Sequence, residues 1–308
     1  MKKVFSKYLA VATLALTALA PSAYAAPVVF GYTGAIATYT VASTGVYTIN
    51  AIGAQGGHGT INNGSYVGGR GASMTGSFNL TVGEIVYLAV GGMGSSVSEN
   101  YNGGGGGGSF VVASGATPLL VAGGGGGIRA YANQNGCDAS ITSYGVSGSG
   151  YSDTSPCAVK TTDLGMGGIA SYYSYGGGGA GFYGNGAADP WFGSGGGNDW
   201  VNGLLAAVGY NGSACDSTGG FGGGGSGTGC GGGGGGGGYS GGDGGHIAGG
   251  GGSWNTGFDQ FAIAGVGYGN GLISIDLISA SVPEPESLAL VGLGLLGLCL
   301  SRRKGKQA

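Results

Sequence analysis

The sequence predicts an all-β body with rods of glycine inserted between its strands and a short removable helix at each end. Three observations predict it. Segments rich in β-branched and aromatic residues alternate with turn residues along the body. Long glycine runs bordered by large apolar side chains separate those segments. The two extremities are apolar stretches of 13 and 14 residues, each joined to a cluster of basic residues. No stretch of the body shows helical periodicity.

The first 25 residues read as a secretory signal peptide. Lys2, Lys3 and Lys7 precede an apolar stretch over residues 8–20 that only Thr13 and Thr17 interrupt. Pro21 ends any helix, and Ala23-Tyr24-Ala25 supplies the small-x-small pattern that signal peptidase requires, so the mature chain starts at Ala26. Thirteen helical residues span about 20 Å, short of the roughly 30 Å hydrocarbon core. The rival reading is an uncleaved membrane anchor.

Within the body, residues 37–41 and 46–52 form two strands joined by a turn at Ser43-Thr44-Gly45. Residues 77–82 alternate, with Phe78, Leu80 and Val82 on one face and Ser77, Asn79 and Thr81 on the other. Gly83 turns the chain into residues 84–90, apolar on both faces and therefore central. Shorter strands follow at 109–113 and 118–122. A closing strand runs over 272–278, with Ile273, Ile275 and Leu277 opposite Ser274 and Asp276.

Glycine runs occupy residues 103–108, 123–127, 176–179, 222–225, 231–238 and 249–252. Such runs form either flexible linker or packed polyproline-II-type helices, which have three residues per turn and no internal hydrogen bonds. Phe110, Phe182, Tyr183, Phe221, Tyr239 and Trp254 flank the runs, an aromatic load that favours packing. Ordering glycine costs about 0.5–1 kcal/mol more than ordering alanine, and a lateral hydrogen bond returns about 0.5–1.5 kcal/mol. A single rod would not hold, whereas several side by side would.

Composition narrows the function. Between Ala26 and Ser281 lie 78 of the 82 glycines, but no Gly-X-Y period, which excludes collagen. That body has three basic residues, Arg70, Arg129 and Lys160, against eleven acidic ones, a formal charge of −8. So few cations cannot neutralise several phosphates, which argues against nucleic acid. Four body cysteines, Cys137, Cys157, Cys215 and Cys230, suit disulfides in an oxidising compartment. Three pairings are open. The shortest loops favour Cys137 with Cys157 and Cys215 with Cys230, and no CxxC spacing points to zinc.

No catalytic, cofactor or metal site is expected. His58 and His246 lie in glycine-rich text without a GxSxG elbow and read as exposed loop histidines. No lysine follows a glycine run as a P-loop requires. Gly241-Gly242-Asp243-Gly244-Gly245 is similar to calcium-binding nonapeptide repeats but occurs once.

At the C-terminal end Val282-Pro283-Glu284-Pro285 precedes an apolar segment over 287–300 and a basic end over 301–308 that includes Arg302, Arg303 and Lys304. The basic cluster would stay cytoplasmic. This order resembles the PEP-CTERM sorting signal. The resemblance implies cleavage by an exosortase, transient membrane anchoring, and a cell-surface or extracellular destination in an exopolysaccharide-producing bacterium. The chain thus divides into a signal peptide (1–25), a glycine-rich β domain (26–281) and a sorting tail (282–308).

The body in turn resembles the glycine-rich domain of the ectodomains of anaplastic lymphoma kinase and leukocyte tyrosine kinase. The matching segments are residues 46–57, 78–92, 103–112 (GGGGGGSFVV), 118–131 (PLLVAGGGGGIRAY), 219–242 and 269–277. The resemblance implies a jelly-roll-like β-sandwich with glycine helices between strands. It implies no kinase, since HRD and DFG are absent. The expected function is that of a structural or interaction protein of the envelope or matrix, meeting exopolysaccharide or other surface proteins. The alternatives are a glycan- or ice-binding module using a flat face of the rod bundle and, more remotely, a secreted hydrolase.

Overall fold

In a computed structural model the described residues are 26–61, 64–96, 102–129, 134–149, 156–170, 175–191, 195–209, 216–227 and 231–280. No helix occurs among them, and none is long and apolar enough to cross a membrane. The first antiparallel sheet has the order β1-β12-β3-β6-β11. Its strands are β1 (Val28–Phe30), β12 (Leu272–Ala280), β3 (Gly45–Ile52), β6 (Gly71–Leu80) and β11 (Phe258–Gly267). The second has the order β10-β9-β8-β7-β2, built from β10 (Trp254–Asn255), β9 (Thr117–Ala122), β8 (Ser109–Ala113), β7 (Ile85–Ala89) and β2 (Ile36–Thr40). β4 (Gly59–Ile61) and β5 (Gly64–Tyr66) form a separate ribbon.

Alternation decides which side chains enter the core. On the first sheet Tyr47, Ile49 and Ala51 of β3 point inward with Met74, Phe78 and Leu80 of β6 and Ile273 and Ile275 of β12. From the second sheet come Val86, Leu88, Val111, Leu120 and Ala122. The opposite face of the second sheet is also covered. Ala89, Phe110, Val112 and Val121 pack against Phe182, Leu204, Phe221 and Tyr239 from the glycine-rich insertions. This explains why residues 84–90 are apolar on both faces.

The predicted strands are present with small changes of boundary. β6 starts at Gly71 rather than Ser77 and ends at Leu80, because residues 73–76 pair with β3 and Gly71 with Gly267 of β11, even though Gly76 and small polar residues break their pattern. The sequence does not signal β1, β4, β5, β10 or β11. β11 is an edge strand exposed along most of its length, with register shifts between Phe258 and Phe261 and between Ile263 and Gly267. Asp259 and Gly265 take positive φ beside these shifts, the mark of β-bulges that twist an edge away from further pairing.

The sandwich has two distinct ends. At one, residues 41–44 and 81–84 cross between the sheets, tied by Val41 N–H to the Glu84 carbonyl (2.9 Å) and Gly83 N–H to the Val41 carbonyl (2.9 Å). β12 finishes here, with Ala280 opposite Gly45. β1 runs antiparallel to β12, Val28 facing Ile275, so the chain enters the sheet from the side where β12 leaves. At the other end β3 and β9 run directly into Gly53 and Gly123, β7 reaches Gly91 after Val90, and residues 103–108 feed into β8. The glycine bundle therefore starts at the pole opposite the C-terminal exit.

Candidate functional site

The glycine runs at residues 103–108, 123–127 and 233–238 are buried throughout and make lateral hydrogen bonds to one another. Those bonds repeat every third residue. In the run at 103–108, Gly103 and Gly106 donate to the carbonyls of Ile128 and Gly125. Gly104 and Gly107 donate to Ser95 and Gly92, and Gly105 and Gly108 to Gly225 and Gly222. The run at 233–238 behaves likewise. Gly234 and Gly237 donate to Gly103 and Gly106, Gly235 and Gly238 to Gly177 and Ala180, and Gly233 and Gly236 to Gly245 and Gly249. No glycine in these runs has a positive φ. Residues 222–225 depart from the pattern, since Gly222 (φ 100°) and Gly223 (φ 83°) turn the chain after Phe221.

Glycine is required in the runs by close approach. A Cβ on Gly105 would overlap the Gly235 carbonyl, and one on Gly236 would overlap the Gly124 carbonyl. Each would collide with backbone, which cannot swing aside as a side chain can. The carbonyls must come this near because the strands of the bundle bond main chain to main chain with no side chain between them.

The bundle is fixed to the sandwich by aromatic rings. Phe182 lies 5.6 Å from Trp200, nearly parallel, 6.3 Å from Phe110 of β8, and edge-on to Tyr183 at 4.9 Å. Tyr239 stacks on Trp254 of β10 at 4.4 Å. Rings at the borders of glycine runs therefore dock the glycine-rich insertions onto the outer face of the second sheet. The sequence displayed these rings without showing which ones meet.

Cys137 and Cys157 form the expected disulfide, with Cα atoms 5.2 Å apart, closing a loop that contributes about 3 kcal/mol. Cys215 and Cys230 lie outside the described residues. So do Ala23 and Ala25, the motif Val282, Pro283, Glu284 and Pro285, and Arg302, Arg303 and Lys304. Ala26 is exposed ahead of β1.

The two histidines are not exposed loop residues. His58 is half-buried, its Nδ1 accepting from Gly68 N–H at 3.2 Å, and burial lowers its pKa. His246 is only 9% exposed, with its Nε2 3.2 Å from Arg129 Nη1 and its ring stacked on Tyr175. Glycine runs that bond backbone to backbone leave little open space beside them, so even a side chain in glycine-rich text is covered. Burial, then the Arg129 charge, push the His246 pKa down to about 4. The unfolded value is about 6.5, so between these values the unfolded chain binds the extra proton. His246 therefore contributes stability that is full above about pH 6.5 and is lost as pH falls towards 4. Denaturant titrations should show the wild type losing up to about 3 kcal/mol more than His246→Gln across that window.

The Asp243 carboxylate is engaged within the protein. Its Oδ1 accepts from Lys160 Nζ at 2.8 Å and from Ile169 N–H at 2.9 Å, a buried ion pair that ties two insertions together. Beside the disulfide an open groove of about 620 Å³ is lined by Arg70, Asn135, Asp138 and Val159 among others. Its charged groups are occupied. Asp138 Oδ1 accepts from Arg70 N–H, and the Arg70 guanidinium donates to the Tyr268 hydroxyl and sits 4.1 Å from that ring's centre. Among the described residues no group of three histidine, cysteine or carboxylate side chains is placed to hold a metal ion.

The chain beyond Ala280 carries the deciding observation. Residues 281–304 match the PEP-CTERM protein-sorting motif. The PEP-CTERM tail makes this an exported protein, held transiently at the membrane and sorted by an exosortase. No curated protein matches the chain. The PEP-CTERM motif begins one residue after β12 ends, at the pole opposite the glycine bundle.

Proposed function

We propose that this protein is a non-enzymatic structural component of the envelope or extracellular matrix, whose working element is a bundle of polyproline-II-type glycine rods. A jelly-roll-like sandwich, of the kind found in glycine-rich receptor ectodomains, carries the rods away from the bilayer. The three-residue repeat of lateral hydrogen bonds carries this reading, because a helix of three residues per turn presents every third N–H to the same neighbour. The acidic, hydroxyl-rich surface suits contact with exopolysaccharide or neighbouring surface proteins.

Complementing a deletion strain tests the reading. A Gly105→Val variant that reaches the surface should fail to restore matrix cohesion, whereas the double variant His58→Gln, His246→Gln should restore it. The reverse pattern would favour a catalytic role.

A further inference from the structure

Four segments, at residues 165–169, 183–187, 196–198 and 205–208, form an outer layer of the bundle. Tyr183 N–H donates to the Gly165 carbonyl, and Ala187 N–H to Gly168. Gly186 N–H donates to Gly197, and Asn198 N–H to Leu205. The four segments thus lie side by side. Their inner side rests on the glycine runs, with Gly178 N–H donating to Ala187 and Ala207 N–H to Gly224.

The outer side is apolar. Met166, Ile169, Tyr183, Val201, Leu205 and Val208 are between 47% and 82% exposed. Met166 and Ile169 are three residues apart, as are Leu205 and Val208, so these two segments each present one face twice. From residue 164 to residue 208 the sequence has no Lys, Arg or Glu, and its two acids, Asp189 and Asp199, are buried.

We propose that this face is a self-association surface whose occupant is the same face of a second copy of the chain, an assignment that rests on the structural reading above. Charge confines the contact to this face. The body's formal charge of −8 opposes association in general, and a face without exposed charged groups avoids the further cost of setting carboxylate against carboxylate. Size agrees. Six such side chains present on the order of 500 Å² of apolar surface, the apolar share of an interface of about 800 Å² per partner. Placement also agrees. The last described strand, β12, ends at the pole opposite the glycine runs, so the described fold finishes away from this face. A two-fold contact uses one patch twice and leaves the tails free.

Sedimentation velocity on the processed protein recovered from the cell surface tests the proposal. Wild type is expected to dimerise within roughly 1–100 μM, and the double variant Val201→Lys, Leu205→Lys to weaken that association about 100-fold. Val82→Lys, on an exposed residue at the opposite pole, should leave it unchanged. A wild type that stays monomeric over this range, or a double variant that associates like wild type, overturns the proposal. So does a monomer that instead binds lipid vesicles or exopolysaccharide through the same residues. Amide exchange on the same samples separates the two claims. Protected glycine runs in a monomer defeat self-association alone, whereas unprotected runs defeat the rod bundle beneath it.

Discussion

Gly105→Ala is expected to destabilise the protein by about 3 kcal/mol or more, although it adds a single methyl group. The new Cβ would overlap the Gly235 carbonyl. Gly235 cannot retreat, because its own N–H donates to Gly177 and its carbonyl accepts from Gly225. Shifting it would disturb two further segments of the bundle. Gly31→Ala is the matched control. No atom lies within 4 Å of its would-be Cβ and its φ is not positive. Alanine there should be neutral or stabilising by about 0.4–1 kcal/mol, because it removes conformational freedom from the unfolded chain. If the glycine runs were linker, both substitutions would behave like the second. Thermal or denaturant unfolding of the two variants therefore gives opposite signs on this account and the same sign on the rival one.

Phe182→Ala is expected to cost about 3–5 kcal/mol, the range for emptying a buried aromatic site. Phe182 is fully buried and touches rings from both parts of the molecule, Phe110 on β8 and Trp200, Tyr183 and Tyr239 among the insertions. Its loss should loosen the bundle before the sandwich, because the inner core of Tyr47, Ile49, Leu88 and Ile275 does not include it. Trp200 stacks directly on Phe182, so tryptophan fluorescence should report loosening at a lower denaturant concentration than far-ultraviolet circular dichroism reports loss of the sheets. Coincident transitions would mean that the bundle and the sandwich unfold as one unit.

Side chains made much of the sandwich legible in the sequence. The alternation of Tyr47, Ile49 and Ala51 in β3 and of Ile273 and Ile275 in β12 states which face is buried. β1 and β10 were hidden because three and two residues carry no period, and only pairing with β12 and β9 makes them strands. β11 was hidden because an edge strand is wet on both faces and two bulges break its alternation. The tail was legible because length, apolarity and a basic end are compositional. The cysteine pair Cys137–Cys157 followed from loop length. The bundle was legible only at its margins, through the aromatic rings. A glycine run contains no side-chain pattern, so nothing in its letters says which carbonyl each N–H meets. The same gap explains His246, whose burial depends on which segments pack beside it.

Amide hydrogen exchange on the processed protein, resolved over residues 103–108, 123–127 and 233–238, tests the central claim most directly. Backbone rods bonded to one another should exchange as slowly as the core strands β3 and β8. Exchange at the rate of free peptide through those three runs, with the sandwich still protected, would contradict it.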